Sequence, residues 1–291
     1  GMILIDHNSV ALFDQIPDQY LNAAANLRMI YIDRSVGANI NDGLDCLAFP
    51  TDQEAPHFCS VYEHAGTPSF SSDPSEVDWS REGGYGRENW QFESWGPGCG
   101  LWAEEVDCFI NRANEIINQY DVLSYQFSYG EVNTGSTIAS QPGGFFDDNP
   151  NRSDVYDLEL FEAQHPDKII IYWTTSLARS IGTQESNLFN DQMRQYAITH
   201  HKILFDVADI LAHHPDGNPC YDNRDGIAYG NNHSPENFPD DNQDLLAICQ
   251  HYTTETEGGH LGSTSVGVIR VSKAFWVLMA RIAGWDGVTL Q

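Results

Sequence analysis

The chain has 291 residues, of which 41% are hydrophobic and 12% aromatic, the profile of a globular protein long enough to bury a substantial core. Its 42 acidic residues against 14 basic ones give a formal net charge of −28, which argues against nucleic acid as a partner and against anionic lipid surfaces. No apolar run approaches the ~20 residues that span a bilayer, and acidic pairs such as Asp147–Asp148 and Asp240–Asp241 match no EF-hand spacing; the acidic surplus reads as a solubility feature.

In chain order, Ile16–Asn26 carries Tyr20, Leu21 and Ala24 at helical spacing. Leu27–Asp33 (LRMIYID) is a short apolar strand, and Asn39–Leu47 a second helix. His57–His64 reads as the second strand. A Gly-, Pro-, Ser- and Trp-rich insertion follows at about 66–100. Leu101–Gln119 is an amphipathic helix with Val106, Phe109, Ile110, Ala113, Ile116 and Ile117 on one face. Asp121–Tyr129 is the third strand, Val155–Gln164 a helix, Lys168–Trp173 (KIIIYW) a buried strand, Asn187–His201 a helix and Ile203–Val207 the fifth strand. A second loop-rich insertion covers about 212–256, and a helix from about Thr264 to Ala283 ends at Gly284. Strands alternating with helices predict a mostly parallel, five-stranded sheet covered on both faces, in one α/β domain spanning 1–291.

Six cysteines (46, 59, 99, 108, 220 and 249) show no CxxC or zinc spacing. An even number in loop-like contexts predicts three disulfides and an oxidising compartment. Pairing of chain neighbours gives Cys46–Cys59, Cys99–Cys108 and Cys220–Cys249. The chain opens Gly1-Met2, and the leading glycine reads as a scar of tag removal, so a secreted or periplasmic location is expected with the targeting segment cut away.

Reacting groups of open α/β sheets collect at the carboxyl ends of the strands. Ser35 stands two residues beyond the first predicted strand, before Val36-Gly37 and a helix whose N-terminal N–H groups face a developing oxyanion. The competing reading is that Ser35 only caps that helix. Near the other end, Glu257-Gly-Gly-His260 precedes the last helix. An acid three residues before a histidine, across two glycines, can orient an imidazole that takes a nucleophile's proton.

These two blocks resemble those of the SGNH (GDSL-like) hydrolases. Ser35 in RSVGANINDGL matches the family's first block in place, with Asp33-Arg34 where Gly-Asp is usual, and Glu257-Gly-Gly-His260-Leu261 matches the last, with Glu for Asp. The resemblance follows element order along essentially the whole chain. It implies a flavodoxin-like α/β/α sandwich and a serine esterase working through an acyl-enzyme, with Ser35 as nucleophile, His260 as base and Glu257 orienting it. No metal or organic cofactor is implied. The third-block asparagine falls at Asn133 in Tyr129-Gly-Glu-Val-Asn133, a segment also similar to the QGE-containing block of the sialate O-acetylesterase branch. For the second-block glycine, Gly66 is favoured over Gly98 and Gly100. Asn133 and Gly66 are the expected side contributions to the oxyanion site.

Two histidine pairs, His200-His201 and His213-His214, place adjacent residues that share no helix face, so neither pair is a ready chelate. Trp79, Trp90, Trp95 and Trp102 cluster in and beside the first insertion. Such rings either pin the insertion as a small apolar cluster or stack on sugar rings, and Trp90 and Trp95 are the expected substrate contacts. The expectation is therefore a secreted, monomeric carbohydrate esterase. The alternatives are a lipid or small-ester acylhydrolase and a catalytically silent carbohydrate-binding protein on the same scaffold.

Overall fold

Successive residues of a strand point to opposite faces of a sheet, so a run of apolar residues in a strand must be buried on both. The computed structural model describes residues 1–49, 54–59, 85–178, 184–222, 242–253, 259–262 and 265–288, and its strands follow this rule. They are β1 (Ile3–Ile5), β2 (Met29–Asp33), β3 (Trp90–Ser94), β4 (Val122–Tyr125), β5 (Ile169–Trp173) and β6 (Ile203–Phe205). They form one sheet in the order β1-β6-β5-β4-β2-β3, and every pairing is parallel. Met29 and Tyr31 of β2, Ile171 and Trp173 of β5 and Phe205 of β6 enter one core, while Ile30, Ile32, Ile170, Tyr172 and Leu204 enter the other.

The helices are α1 (Asp18–Asn26), α2 (Ser35–Ala48), α3 (Trp102–Ile116), α4 (Val155–Gln164), α5 (Gln184–Thr199), α6 (Val207–Leu211) and α7 (Val266–Ile282). The face carrying Tyr31 and Trp173 is covered by α1, α2 and α7, and the opposite face by α3, α4 and α5. Helix α7 is apolar around most of its circumference and is buried from Val266 to Ala280 apart from Lys273, packing against α1, α2 and the 3-10 segment His7–Gln15. Its Phe275 and Trp276 sit in an aromatic cluster with Tyr31, Trp90, Trp173 and Phe205. Gly284 follows with φ +113°, a left-handed stop that a glycine adopts without strain.

The sheet thus has six strands where five were expected. Strand β1 is only three residues long, too short to show a period, and lies at the sheet edge beside β6. The partner on the other side of β2 is β3, inside the stretch read as an insertion. The expected second strand is a 3-10 turn over His57–Cys59, and its remainder, 60–64, lies outside the described residues, as does the 66–84 part of the first insertion. Of the second insertion, 223–241 and 254–256 likewise lie outside them; the described flanks are joined by a Tyr221–Leu246 bridge.

All three expected disulfides are present: Cys46–Cys59, Cys99–Cys108 and Cys220–Cys249. The first ties the end of α2 to the 3-10 turn, and the second ties the loop after β3 to α3. Among the described residues, no helix is long and apolar enough to cross a membrane.

Candidate active site

Strand β2 ends at Asp33 and α2 begins at Ser35, with Arg34 alone between them as N-cap. The cap supplies no side-chain hydrogen bond; Asp33 does the work instead. Its Oδ1 accepts from the Arg34 N–H at 2.7 Å. This starts the helix four residues earlier than the expected Asn39 and relieves Ser35 of capping. The Ser35 side chain is exposed at the carboxyl edge of the sheet, beside the first-turn amides of α2, where a helix N-terminus favours negative charge.

Around Arg34 lies a set of acids that the sequence motifs do not include. Asp33 and Glu105 are 1% and 0% exposed, and Glu131 is nearly as deep. Arg34 reaches into them, with Nε 3.3 Å from Glu131 Oε1 and 3.6 Å from Glu105 Oε1, while its Nη2 donates to the Cys99 carbonyl. Burial, reinforced by the neighbouring Glu131 charge and opposed by Arg34, pushes Glu105 up to about 10. Burial thus favours the neutral, protonated form of Glu105. Burial also raises Glu131, against Arg34 and the Glu105 hydrogen bond. Asp33 is raised well above the usual aspartate value by burial. The sequence carried one sign of this: Glu105 stands at a core position of the α3 stripe, between Trp102 and Phe109.

His260 lies on the loop that leads into α7, half-buried. Its backbone is held from three sides. The Thr253 hydroxyl donates to the His260 carbonyl at 2.6 Å, Ser176 Oγ donates to the Gly259 carbonyl at 3.2 Å, and the Leu261 N–H donates to Asn39 Oδ1 at 3.1 Å. Asn39 is one turn beyond Ser35 on α2, so the two residues share a helix face. The His260 ring stands edge-on to Tyr129 at 5.5 Å and 80°. Its Nε2, the nitrogen a base would turn toward Ser35, is 3.3 Å from the Tyr129 hydroxyl. Gly259 lies flat on the Tyr129 ring: a Cβ there would overlap the ring carbons. Tyr129 is thus a site residue that the sequence reading used only as a landmark.

Asn133, half-buried, opens a turn (its carbonyl accepts from Ser136 N–H at 3.0 Å). It lines a cleft of about 510 Å³ with Trp102, Glu131 and Arg152 among others. Arg152 lies over the Trp102 ring, 4.7 Å from its centroid. Glu257 and Gly66 lie outside the described residues. Trp90 is corrected outright: it is 1% exposed, its indole N–H donates to the Ala24 carbonyl at 3.1 Å, and its ring packs on Phe275 and Trp276. It anchors β3 to the core, and a sugar cannot reach it. Trp95 is half-buried against Tyr125 and borders a second cleft of about 420 Å³ with Glu93, Cys99 and Arg112.

No family model, no curated protein and no solved structure matches the chain at a significant level. The functional reading therefore rests on the residues themselves.

Proposed function

We propose that this protein is an extracytoplasmic serine esterase of the SGNH-hydrolase kind, with a flavodoxin-like sheet and an ester of a carbohydrate as substrate. The observation that carries the reading is the tie from Asn39 to Leu261 at 3.1 Å, which holds the His260 loop against the helix face bearing the exposed Ser35. The tie supports a site in which Ser35 after β2 is the proposed nucleophile and His260 before α7 the proposed base. The three disulfides support an oxidising compartment.

In the proposed mechanism His260 takes the Ser35 proton as the hydroxyl attacks the ester carbonyl, and returns it to the leaving alcohol. The acyl-enzyme is hydrolysed by water along the same path. The negative oxygen of each tetrahedral intermediate lies at the N-terminus of α2, where first-turn N–H groups stabilise it without reorganisation, and Asn133 and Gly66 are the proposed additional donors. Glu257 is the proposed partner of the other imidazole nitrogen. Tyr129 holds the ring while the site is empty and yields Nε2 to Ser35 when substrate enters. Support for a carbohydrate comes from the cleft beside Glu131, which is lined by the Asn133 amide and the Arg152 guanidinium, groups suited to hydroxyls.

The test is hydrolysis of p-nitrophenyl acetate and acetylated xylan by wild type and Ser35→Ala. Loss of at least ~10³-fold in turnover by the variant supports the reading. Wild-type rates in the variant, or no hydrolysis by wild type of any ester in a panel of rising acyl length, overturn it.

A further inference from the structure

On the far edge of the sheet from Ser35, three metal-ligating side chains converge. β1 ends at Ile5 and β6 at Phe205, and the two strands are paired in parallel. The residues just beyond their carboxyl ends therefore lie side by side. His7 opens the 3-10 segment after β1, Asp209 lies in α6 after β6, and His213 follows α6. His7 Nδ1 is 2.6 Å from Asp209 Oδ2 and His213 Nδ1 is 3.3 Å from Asp209 Oδ1. The two imidazole rings are stacked at 4.1 Å and 12°. One donor atom from each residue lies within 4.8 Å of the other two.

We propose that His7, Asp209 and His213 bind a divalent transition cation of the zinc class. Bonds of ~2.0–2.2 Å to nitrogen and oxygen in a tetrahedral site put donor atoms roughly 3.3 Å apart. The observed separations of 2.6 and 3.3 Å are short of or equal to that spacing. Side-chain rotation and a tilt that opens the stack would bring both nitrogen lone pairs onto one ion. Two imidazoles with one carboxylate select zinc, nickel or copper over calcium and magnesium, which take oxygen ligands. The side chains are 21%, 18% and 15% exposed, so an ion can enter and a water can fill the fourth position.

The frame for the ligands is already set. Asp209 Oδ2 also accepts from the His7 N–H at 2.8 Å, and the Asp209 carbonyl is 2.8 Å from His213 Nδ1. A bound ion replaces the ring protons at these positions and clamps the amino-terminal segment to α6. The neighbouring stacked pair, His214 and His251, is 4.9 Å apart, but the sulfurs beside it belong to the Cys220–Cys249 disulfide and are not thiolates. Four strand spacings separate the His7 group from β2, roughly 19 Å, so the site is distinct from Ser35. Adjacent histidines are poor chelates, and here only His213 of its pair takes part; Asp209 stands four residues before it and His7 comes from the other end of the chain.

The experiment is calorimetric titration of the full chain with zinc alone after chelator treatment and buffer exchange, with thermal melts in parallel. The expected result is one equivalent of zinc bound and a melting temperature that rises with zinc concentration. Loss of a mere outer partner costs roughly 10–100-fold in metal affinity, so His7→Ala/His213→Ala should bind at least ~10-fold more weakly. Asp209→Asn, which keeps the size of the side chain, covers the case in which the double variant misfolds; it too should bind more weakly, with an unchanged circular dichroism spectrum. His214→Ala and His200→Ala/His201→Ala should bind as wild type. Zinc uptake equal in wild type and Asp209→Asn, or lost on His214→Ala instead, overturns the proposal. Ester hydrolysis is not read here, so the result stands apart from the fate of the Ser35 assignment.

Discussion

Asn39 Oδ1 accepts the backbone N–H of Leu261 at 3.1 Å, across 222 residues of chain, and so ties the loop carrying His260 to the helix that begins at Ser35. A single neutral hydrogen bond contributes only about 0.5–1.5 kcal/mol to stability, but a loop displaced by ~1 Å at a reacting centre loses far more in rate. Asn39→Ala should therefore lower kcat at least ~10-fold with little change in melting temperature. Asn39→Asp, which keeps an acceptor, should recover much of the loss. Steady-state kinetics of the three proteins on one acetyl ester would check this.

Gly259 has no room for a Cβ because the Tyr129 ring occupies that space. Gly259→Ala should push Tyr129 or the His260 loop aside and reduce kcat more than Tyr129→Phe does. The clash is local, so adding Tyr129→Ala to Gly259→Ala should restore part of the rate. A double variant no better than Gly259→Ala alone would show that strain against Tyr129 is not the cause.

The buried Glu105 contributes a pH dependence to the stability of the fold. Glu105 is held at about 10 against an ordinary value of 4.5, so the folded state binds its proton more tightly than the unfolded chain does. Stability from this group is complete below the ordinary glutamate range and is lost as pH rises toward about 10. Glu105→Gln should flatten that loss and stabilise the protein at pH 7–8 by on the order of 1–3 kcal/mol. Urea unfolding at pH 5, 7 and 9 measures it: equal wild-type and variant slopes of stability against pH would contradict the assignment.

Much of this architecture is written in the chain, and the exceptions have physical causes. Strands β2, β4, β5 and β6 are legible because both faces are buried, which makes Ile30–Ile32 and Ile169–Tyr172 continuous apolar runs. Strand β3 (WQFES) is an edge strand with polar residues at alternate positions, set in a Gly- and Ser-rich stretch, and its pattern is lost there. Trp90 looked like a surface aromatic for the same reason, although β3 carries it under α7. That Ser35 would follow a strand and His260 precede the last helix was legible in the same way. Arg34, Glu131 and Tyr129 were not, because their roles depend on partners that only the folded sheet supplies.

The disulfides give a prediction independent of activity. Cys46–Cys59 closes a separation of 13 residues, for which chain entropy gives roughly 3 kcal/mol. Cys46→Ser/Cys59→Ser should lose about that much stability in denaturant unfolding. Peptide mapping of unreduced protein should recover the three pairs, and six alkylatable thiols would contradict both the pairing and the oxidising compartment.

The central claim is that Ser35 is a nucleophile activated by His260. Its most direct measurement is labelling of the native protein with a fluorophosphonate, followed by peptide mapping of the modified residue. The account predicts one label, on Ser35, formed quickly in wild type and slowed at least ~10³-fold in His260→Ala. A label on another residue, no label on folded wild-type protein, or equal labelling of His260→Ala would contradict it.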